Sequence, residues 1–152
     1  MIDQSILKNM GVSEQVLVSL SKCSGEIGIY VHPEHDFTFS PETREGNFVL
    51  ACKNDDVELL LDKLSGEIWL KDYSGRPSIF MNSSWCQFAA CSVAYADICA
   101  RLKKYPYDVP EEESQILASD LRNAIDSIDT KALNGIEAYW ISIVEEIELG
   151  AV

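Results

Sequence analysis

The fold is decided by residues 48–82, which read FVLACKNDDVELLLDKLSGEIWLKDYSGRPSIFMN. Runs of aliphatic, aromatic and β-branched residues predict four strands, at residues 48–53, 57–62, 67–71 and 78–81. The connectors between them are three to six residues long and rich in Asn, Asp, Ser and Gly, which favour tight turns. Consecutive strands joined by short turns pair antiparallel, so this stretch predicts a meander.

Both sides of this stretch follow the period of amphipathic helices. The first 24 residues predict helix in two apolar stripes, with Ser13 as an N-cap between them. After the sheet, helices are predicted at residues 85–102, from Glu111 onward and around residues 139–147, the first of them capped by a residue among 82–84. The predicted fold class is α+β, a central, mainly antiparallel sheet (a meander) flanked by N-terminal and C-terminal helices.

The segment before the meander is less regular. Ile27, Ile29 and Val31 alternate with smaller residues and predict a strand that Pro33 ends. Residues 37–39 predict a second short strand, and residues 41–46 predict a loop.

The composition fits a globular chain with a strong excess of acid. Twelve Lys and Arg against 25 Asp and Glu give a net charge of −13, spread over both halves of the 152 residues. Without a basic patch, nucleic acid and anionic membrane are excluded as expected partners. An acidic surface favours solubility, and it also steers a basic protein partner.

The cysteines and the N-terminus predict a cytoplasmic protein. Five cysteines, at positions 23, 52, 86, 91 and 99, show no CxxC pair and are expected to be buried, reduced thiols. The first residues lack the basic and apolar regions of a signal peptide. The longest apolar run, residues 88–100, is too short to span a bilayer and contains Asp97.

No catalytic, metal or cofactor motif is found. His32 and His35 have HxxH spacing, but Pro33 favours extended backbone, in which positions three apart point to opposite faces. The chain contains no GxSxG elbow, no GxxxxGK phosphate loop and no EF-hand loop. The sequence therefore predicts a protein that is not an enzyme, with no catalytic residues, no metal ligands and no cofactor.

Clusters of acidic residues are the remaining candidates for a functional site. Their positions are typical of turns, helix starts and solvated helix faces rather than of acid–base pairs, but they suit a surface that contacts a basic partner. The predicted partner-binding residues are Asp55, Asp56, Asp72, Glu111, Glu112 and Glu113. The pair Glu145 and Glu146 is a further cluster of the same kind.

Three motifs carry a resemblance to a known family. Residues 61–69, LDKLSGEIW, match an Asp-x-x-[ST]-Gly-x-[VI] hairpin, and residues 80–88, FMNSSWCQF, match an "NSSxxxF" helix start. Residues 128–133 followed by Tyr139 and Trp140 match a closing helix. In this order they resemble the SUKH superfamily of bacterial immunity proteins, in particular its fourth clade. Trp85 is a departure, since an aliphatic residue is more usual there.

The resemblance implies one SUKH-like immunity domain over residues 1–152. It also implies a function: binding and neutralising a cognate polymorphic toxin, such as a nuclease or deaminase, by occluding it. The alternative is a non-enzymatic scaffold or regulatory protein-binding module on the same fold. The resemblance carries over no catalytic residues, in agreement with the motif search.

Overall fold

In the part of the chain that the structure describes, five strands form one antiparallel sheet in the order β1-β2-β3-β4-β5, as the meander predicts. The computed structural model describes residues 3–23, 38–53, 55–135 and 137–151. The strands are β1 Thr38–Thr43, β2 Phe48–Lys53, β3 Val57–Asp62, β4 Ile68–Asp72 and β5 Ile79–Asn82. The helices are α1 Gln4–Asn9, α2 Glu14–Ser21, α3 Trp85–Leu102, α4 Glu111–Ile128 and α5 Tyr139–Glu148, with a 3₁₀ helix at Thr130–Leu133. The predicted α+β class is therefore confirmed.

One predicted loop is in fact part of a strand. The sequence predicts a loop at residues 41–46, but β1 continues to Thr43. The register between β1 and β2 shifts between Phe39 and Glu42, so Pro41 lies within the irregularity. A strand accepts proline at such an irregularity, because no regular ladder hydrogen bond is required of its nitrogen there. The strand predicted at residues 27–31 lies outside the described residues.

The helices cover one face of the sheet and build the core there. Alternate strand residues point to this face, among them Val49, Leu59, Leu61, Ile68 and Met81, all at most 2% exposed. They join buried side chains of every long helix in one cluster. Within the described residues, no helix is long and apolar enough to cross a membrane.

Local caps fix where the helices begin. Ser13 Oγ accepts a hydrogen bond from the Val16 amide at 3.3 Å, which confirms the predicted N-cap of α2. Of the three candidates for α3, Ser84 is the cap, and its Oγ accepts from the Gln87 amide at 3.3 Å. Asn82 and Ser83 are thereby free for other partners.

The β3–β4 turn docks against α2. Gly66 has φ +80°, and a Cβ there would lie 3.3 Å from a Val16 methyl carbon, so glycine suits both the turn and the close approach. The Ser13 amide also donates to the Lys63 carbonyl at 2.8 Å. The N-terminal end of α2 is therefore held by the hairpin.

The cysteines depart from the sequence expectation. Cys23 and Cys86 form a disulfide, so not all five are reduced thiols. Their separation of 63 residues hid the pairing, which depends on α2 packing against α3. Cys91 and Cys99 are free and buried as expected. Burial raises the pKa of the Cys91 thiol to about 11.

The second face of the sheet carries a buried ion pair. Arg44 donates to both oxygens of Glu58, from Nε at 3.2 Å and from Nη2 at 2.8 Å, and its Nη1 donates to Glu42 at 3.0 Å. Glu58 is only 7% exposed. Its pKa is held below the ordinary value mainly by the hydrogen bonds from Arg44.

We expect Arg44→Met to lower the free energy of unfolding by about 2 kcal/mol at pH 7, since Glu58 would stay buried without its partner. A carboxyl with a depressed folded pKa stabilises the fold above its unfolded pKa, and this contribution is lost as the pH falls through the folded pKa. The difference between wild type and variant should therefore shrink below about pH 4. Urea unfolding at pH 7 and pH 3 measures it.

Arg76→Met is the matched control. The Arg76 side chain is 77% exposed and pairs with Asp72, so its loss should cost no more than about 0.5 kcal/mol at either pH. Equal losses in the two variants at pH 7 would contradict a special role for the pair on the second face.

Candidate functional site

Two motifs of the sequence resemblance, the helix start and the closing helix, meet at one buried carboxylate. Asp129, 4% exposed, follows α4 and accepts three hydrogen bonds. The donors are Asn82 Nδ2 at 3.1 Å, the Ser83 amide at 2.7 Å and Ser83 Oγ at 2.9 Å. The end of β5 is thereby fixed to the end of α4, two segments 46 or 47 residues apart in the chain.

Asn82 continues this network into α5. Its Oδ1 accepts from Trp140 Nε1 at 2.9 Å, and both residues are 0% exposed. Its Nδ2 also lies 3.4 Å from Cys91 Sγ in α3. Gln87 adds a further contact between the start of α3 and the end of α4, because its Nε2 donates to the Ile128 carbonyl at 3.1 Å. We call the set Asn82, Ser83, Asp129 and Trp140 the polar network.

Because Asn82, Asp129 and Trp140 are buried, these three members of the polar network stabilise the fold and present no surface to a partner. Trp85 contrasts with Trp140. It is 3% exposed, and its Nε1 has no hydrogen-bond partner among the described residues. A position that makes no hydrogen bond is compatible with the aliphatic residue more usual there.

The three long helices run antiparallel to their neighbours. At one end of the helical layer the polar network joins the start of α3, the end of α4 and the start of α5. Arg101, in the last turn of α3, donates to Asp120 in the middle of α4 at 2.8 Å. At the other end of the layer, a Cβ on Gly150, just after α5, would lie 3.6 Å from Ser114 Oγ in the first turn of α4. The start of α4 and the end of α5 are therefore neighbours.

This neighbourhood gathers acidic residues from two helices. Five of the six side chains are exposed, and Glu113 is partly exposed. We call this set the acidic pole: Glu111, Glu112, Glu113, Glu145, Glu146 and Glu148. The predicted site residues 111–113 thus belong to a larger group that includes the Glu145 and Glu146 cluster.

The acidic residues of the pole differ in whether the helix dipole stabilises or destabilises their negative charge. Residues 111–113 occupy the first turn of α4, where the helix dipole stabilises negative charge. Glu145, Glu146 and Glu148 lie in the last turn of α5, which contains no basic residue. Negative charge is unfavourable at that end of a helix. The α5 acids therefore have no helix-stabilising role, which makes them the stronger candidates for a partner contact.

The other predicted site residues lie at one end of the sheet. Asp55 and Asp56 are exposed in the β2–β3 connection, and Val57 pairs with Asp72 across β3 and β4. Asp72 has partners of its own, because it accepts from the Ser74 amide at 3.0 Å and pairs with Arg76 at 2.9 Å. Hydrogen bonds from Ser74 lower the pKa of Asp72. Asp72 therefore helps to hold the β4–β5 turn.

Two exposed apolar side chains that lie close in sequence to the acidic pole were not predicted as site residues. Tyr107, in the loop before α4, is 94% exposed, and Leu149, just after α5, is 82% exposed. They are the most exposed large apolar side chains recorded among the described residues. Aromatic and aliphatic anchors among charged residues are typical of protein interfaces. The signal in the sequence was weak, because a lone Tyr or Leu in a loop carries no period.

The described ranges contain no candidate metal-binding site. No set of three or more His, Cys, Asp or Glu side chains there could hold a metal ion. His32 and His35 lie outside those ranges.

The antiparallel sheet and the helical layer together define an α+β domain. A family model described as "SUKH-4 immunity protein" matches residues 26–146, and the chain belongs to that family. The match confirms the resemblance carried by the hairpin, helix-start and closing-helix motifs. The chain matches no curated protein and no solved structure.

Proposed function

We propose that this chain is a cytoplasmic immunity protein that neutralises a cognate toxin by binding and occluding it, without catalysis of its own. The observation that carries the proposal is the family match over residues 26–146. The charge of −13 favours a basic toxin, such as a nuclease or deaminase, because complementary charge speeds association and orients the partner.

The direct test is growth rescue and complex formation with the toxin encoded beside this gene. Co-expression should restore growth, and the two purified proteins should elute together in size-exclusion chromatography. A toxin that kills despite equal expression of this chain, with no complex formed, would contradict the proposal. Rescue without a complex would favour the regulatory alternative.

We place the toxin contact at the acidic pole, with Tyr107 and Leu149 as apolar anchors. A partner with a basic cleft would find six carboxylates beside two exposed apolar groups. Asp55 and Asp56 form a second acidic patch at the sheet end, and Asp72 lies next to them. The two patches are on different elements, so variants can separate their contributions.

Glu148→Lys should weaken toxin binding by about tenfold or more, mainly through a lower association rate that depends on salt. The same change places a positive charge at the end of α5, where it should stabilise the helix by about 0.3–1 kcal/mol. If the variant binds the toxin more weakly but unfolds at a higher temperature, unfolding is excluded as the cause of the weaker binding. Surface plasmon resonance at two salt concentrations and thermal unfolding give both quantities.

Asp55→Lys is the matched control, since it makes the same charge change on the exposed β2–β3 connection. We expect a smaller effect on binding than that of Glu148→Lys. A loss confined to Asp55→Lys would move the contact to the sheet end. No loss in either variant would contradict acidic capture of the toxin.

A further inference from the structure

Cys23 and Cys86 are placed so that they can change between thiol and disulfide with little backbone movement. Cys23 comes just after the C-cap of α2, and Cys86 is the second residue of α3. Their Cα atoms are 5.4 Å apart, within the usual range for a disulfide, and the two sulfur atoms are bonded. Both residues are partly exposed, so a small oxidant or reductant can reach them.

The reduced form is accommodated as well. The Ser19 carbonyl oxygen lies 3.7 Å from Cys23 Sγ and 3.6 Å from Cys86 Sγ. A thiol on either residue would therefore have an acceptor within reach. The two sulfur atoms are bonded to each other in the oxidised form, and the thiols have the Ser19 carbonyl as an acceptor in the reduced form.

The surroundings favour reaction at this pair over the two free cysteines. Cys86 lies in the first turn of an 18-residue helix, where the dipole stabilises a thiolate. Cys91 and Cys99 are buried, and burial raises the pKa of both thiols. Buried, protonated thiols are poor nucleophiles.

We propose that Cys23 and Cys86 form a reversible redox site that takes hydroperoxides and small-molecule disulfides as oxidants. With hydrogen peroxide, the Cys86 thiolate attacks an oxygen, the O–O bond breaks, and a sulfenic acid forms with release of one water after protonation. The Cys23 thiol then attacks the Cys86 sulfur, the S–O bond breaks, and a second water leaves. The two thiols lose two electrons and two protons, and one peroxide becomes two waters.

The bond closes a long loop that contains the whole described sheet. The two cysteines are 63 residues apart, and β1 to β5 lie between them. The N-terminal end of α2 is already held by the hydrogen bond from Ser13 to Lys63, so the disulfide fixes its other end to α3. Oxidation therefore stabilises the chain against unfolding, chiefly by restricting the unfolded state.

The test uses the purified full-length chain, reduced with dithiothreitol, desalted and exposed to hydrogen peroxide or to oxidised glutathione. We expect the mass to fall by about 2 Da, alkylatable thiols to fall from five to three under denaturing conditions, and a peptide cross-link to join residues 23 and 86. The Tm of the oxidised form should exceed that of the reduced form by roughly 5–10 °C.

Two variants complete the experiment. Cys86→Ser should abolish the mass change and the Tm difference between redox states, whereas Cys99→Ala should keep both. The proposal is overturned if the wild type keeps five alkylatable thiols, if the cross-link joins another pair, or if both redox states melt at the same temperature. None of these readouts needs a toxin, so they stand apart from the test of immunity.

Discussion

Replacing Asp129 with alanine is expected to lower the free energy of unfolding by about 3–4 kcal/mol, a large share of the stability of a domain of this size. The variant removes the acceptor of three hydrogen bonds and leaves Asn82 Nδ2 and the Ser83 amide without it. Buried donors that lose a charged acceptor bear most of their desolvation cost. Urea unfolding followed by far-ultraviolet circular dichroism measures the loss.

Asp126→Ala is the control for this variant, since Asp126 lies one turn earlier in α4 and is exposed. We expect a change within about 0.5 kcal/mol. Similar losses in the two variants would show that helix charge, and not the polar network, accounts for the effect of Asp129.

Trp140→Phe is expected to cost about 3 kcal/mol, and Trp85→Phe only about 1 kcal/mol. Both side chains are almost fully buried, and both variants lose the same atoms. They differ in the hydrogen bond, because Trp140 Nε1 donates to Asn82 Oδ1 whereas Trp85 Nε1 has no partner among the described residues. The difference of about 2 kcal/mol is the cost of leaving Asn82 Oδ1 buried and unpaired.

The two experiments are coupled through Asn82, which bonds both Asp129 and Trp140. A double variant, Asp129→Ala with Trp140→Phe, should cost about 1 kcal/mol less than the sum of the single losses. Equal costs for the two tryptophan variants, or strict additivity in the double variant, would contradict a shared network.

Two different sets of residues serve fold stability and partner binding in these predictions. Asn82, Asp129 and Trp140 of the polar network are buried, and they stabilise the junction of β5, α3, α4 and α5. Partner recognition requires exposed groups, and we propose that the acidic pole supplies the charge while Tyr107 and Leu149 supply the apolar anchors. Glu148→Lys and Asp129→Ala should therefore have opposite profiles, the first weakening binding and the second weakening the fold.

The features that could be predicted from the sequence are those that neighbouring residues determine. The apolar runs in residues 48–82 and the turn residues between them located the strands to within one residue, because both signals act over a few neighbouring positions. Ser13 could be recognised as a cap because a cap binds an amide three residues away. The loop predicted from Pro41 onward was wrong at its start, because a proline ends a regular strand but is accepted in an irregular strand such as β1.

The sequence by itself determined the α+β class and the order of the elements, because strand period, helix period and turn residues act over a few neighbouring positions. Its three motifs also carried the resemblance to the family. Only the tertiary structure decided which distant residues meet. It joined Cys23 to Cys86, brought Asn82 to Asp129 and Trp140, and set the acids of α5 beside those of α4. Such contacts depend on how helices pack on the sheet, and no local period in the chain records that packing.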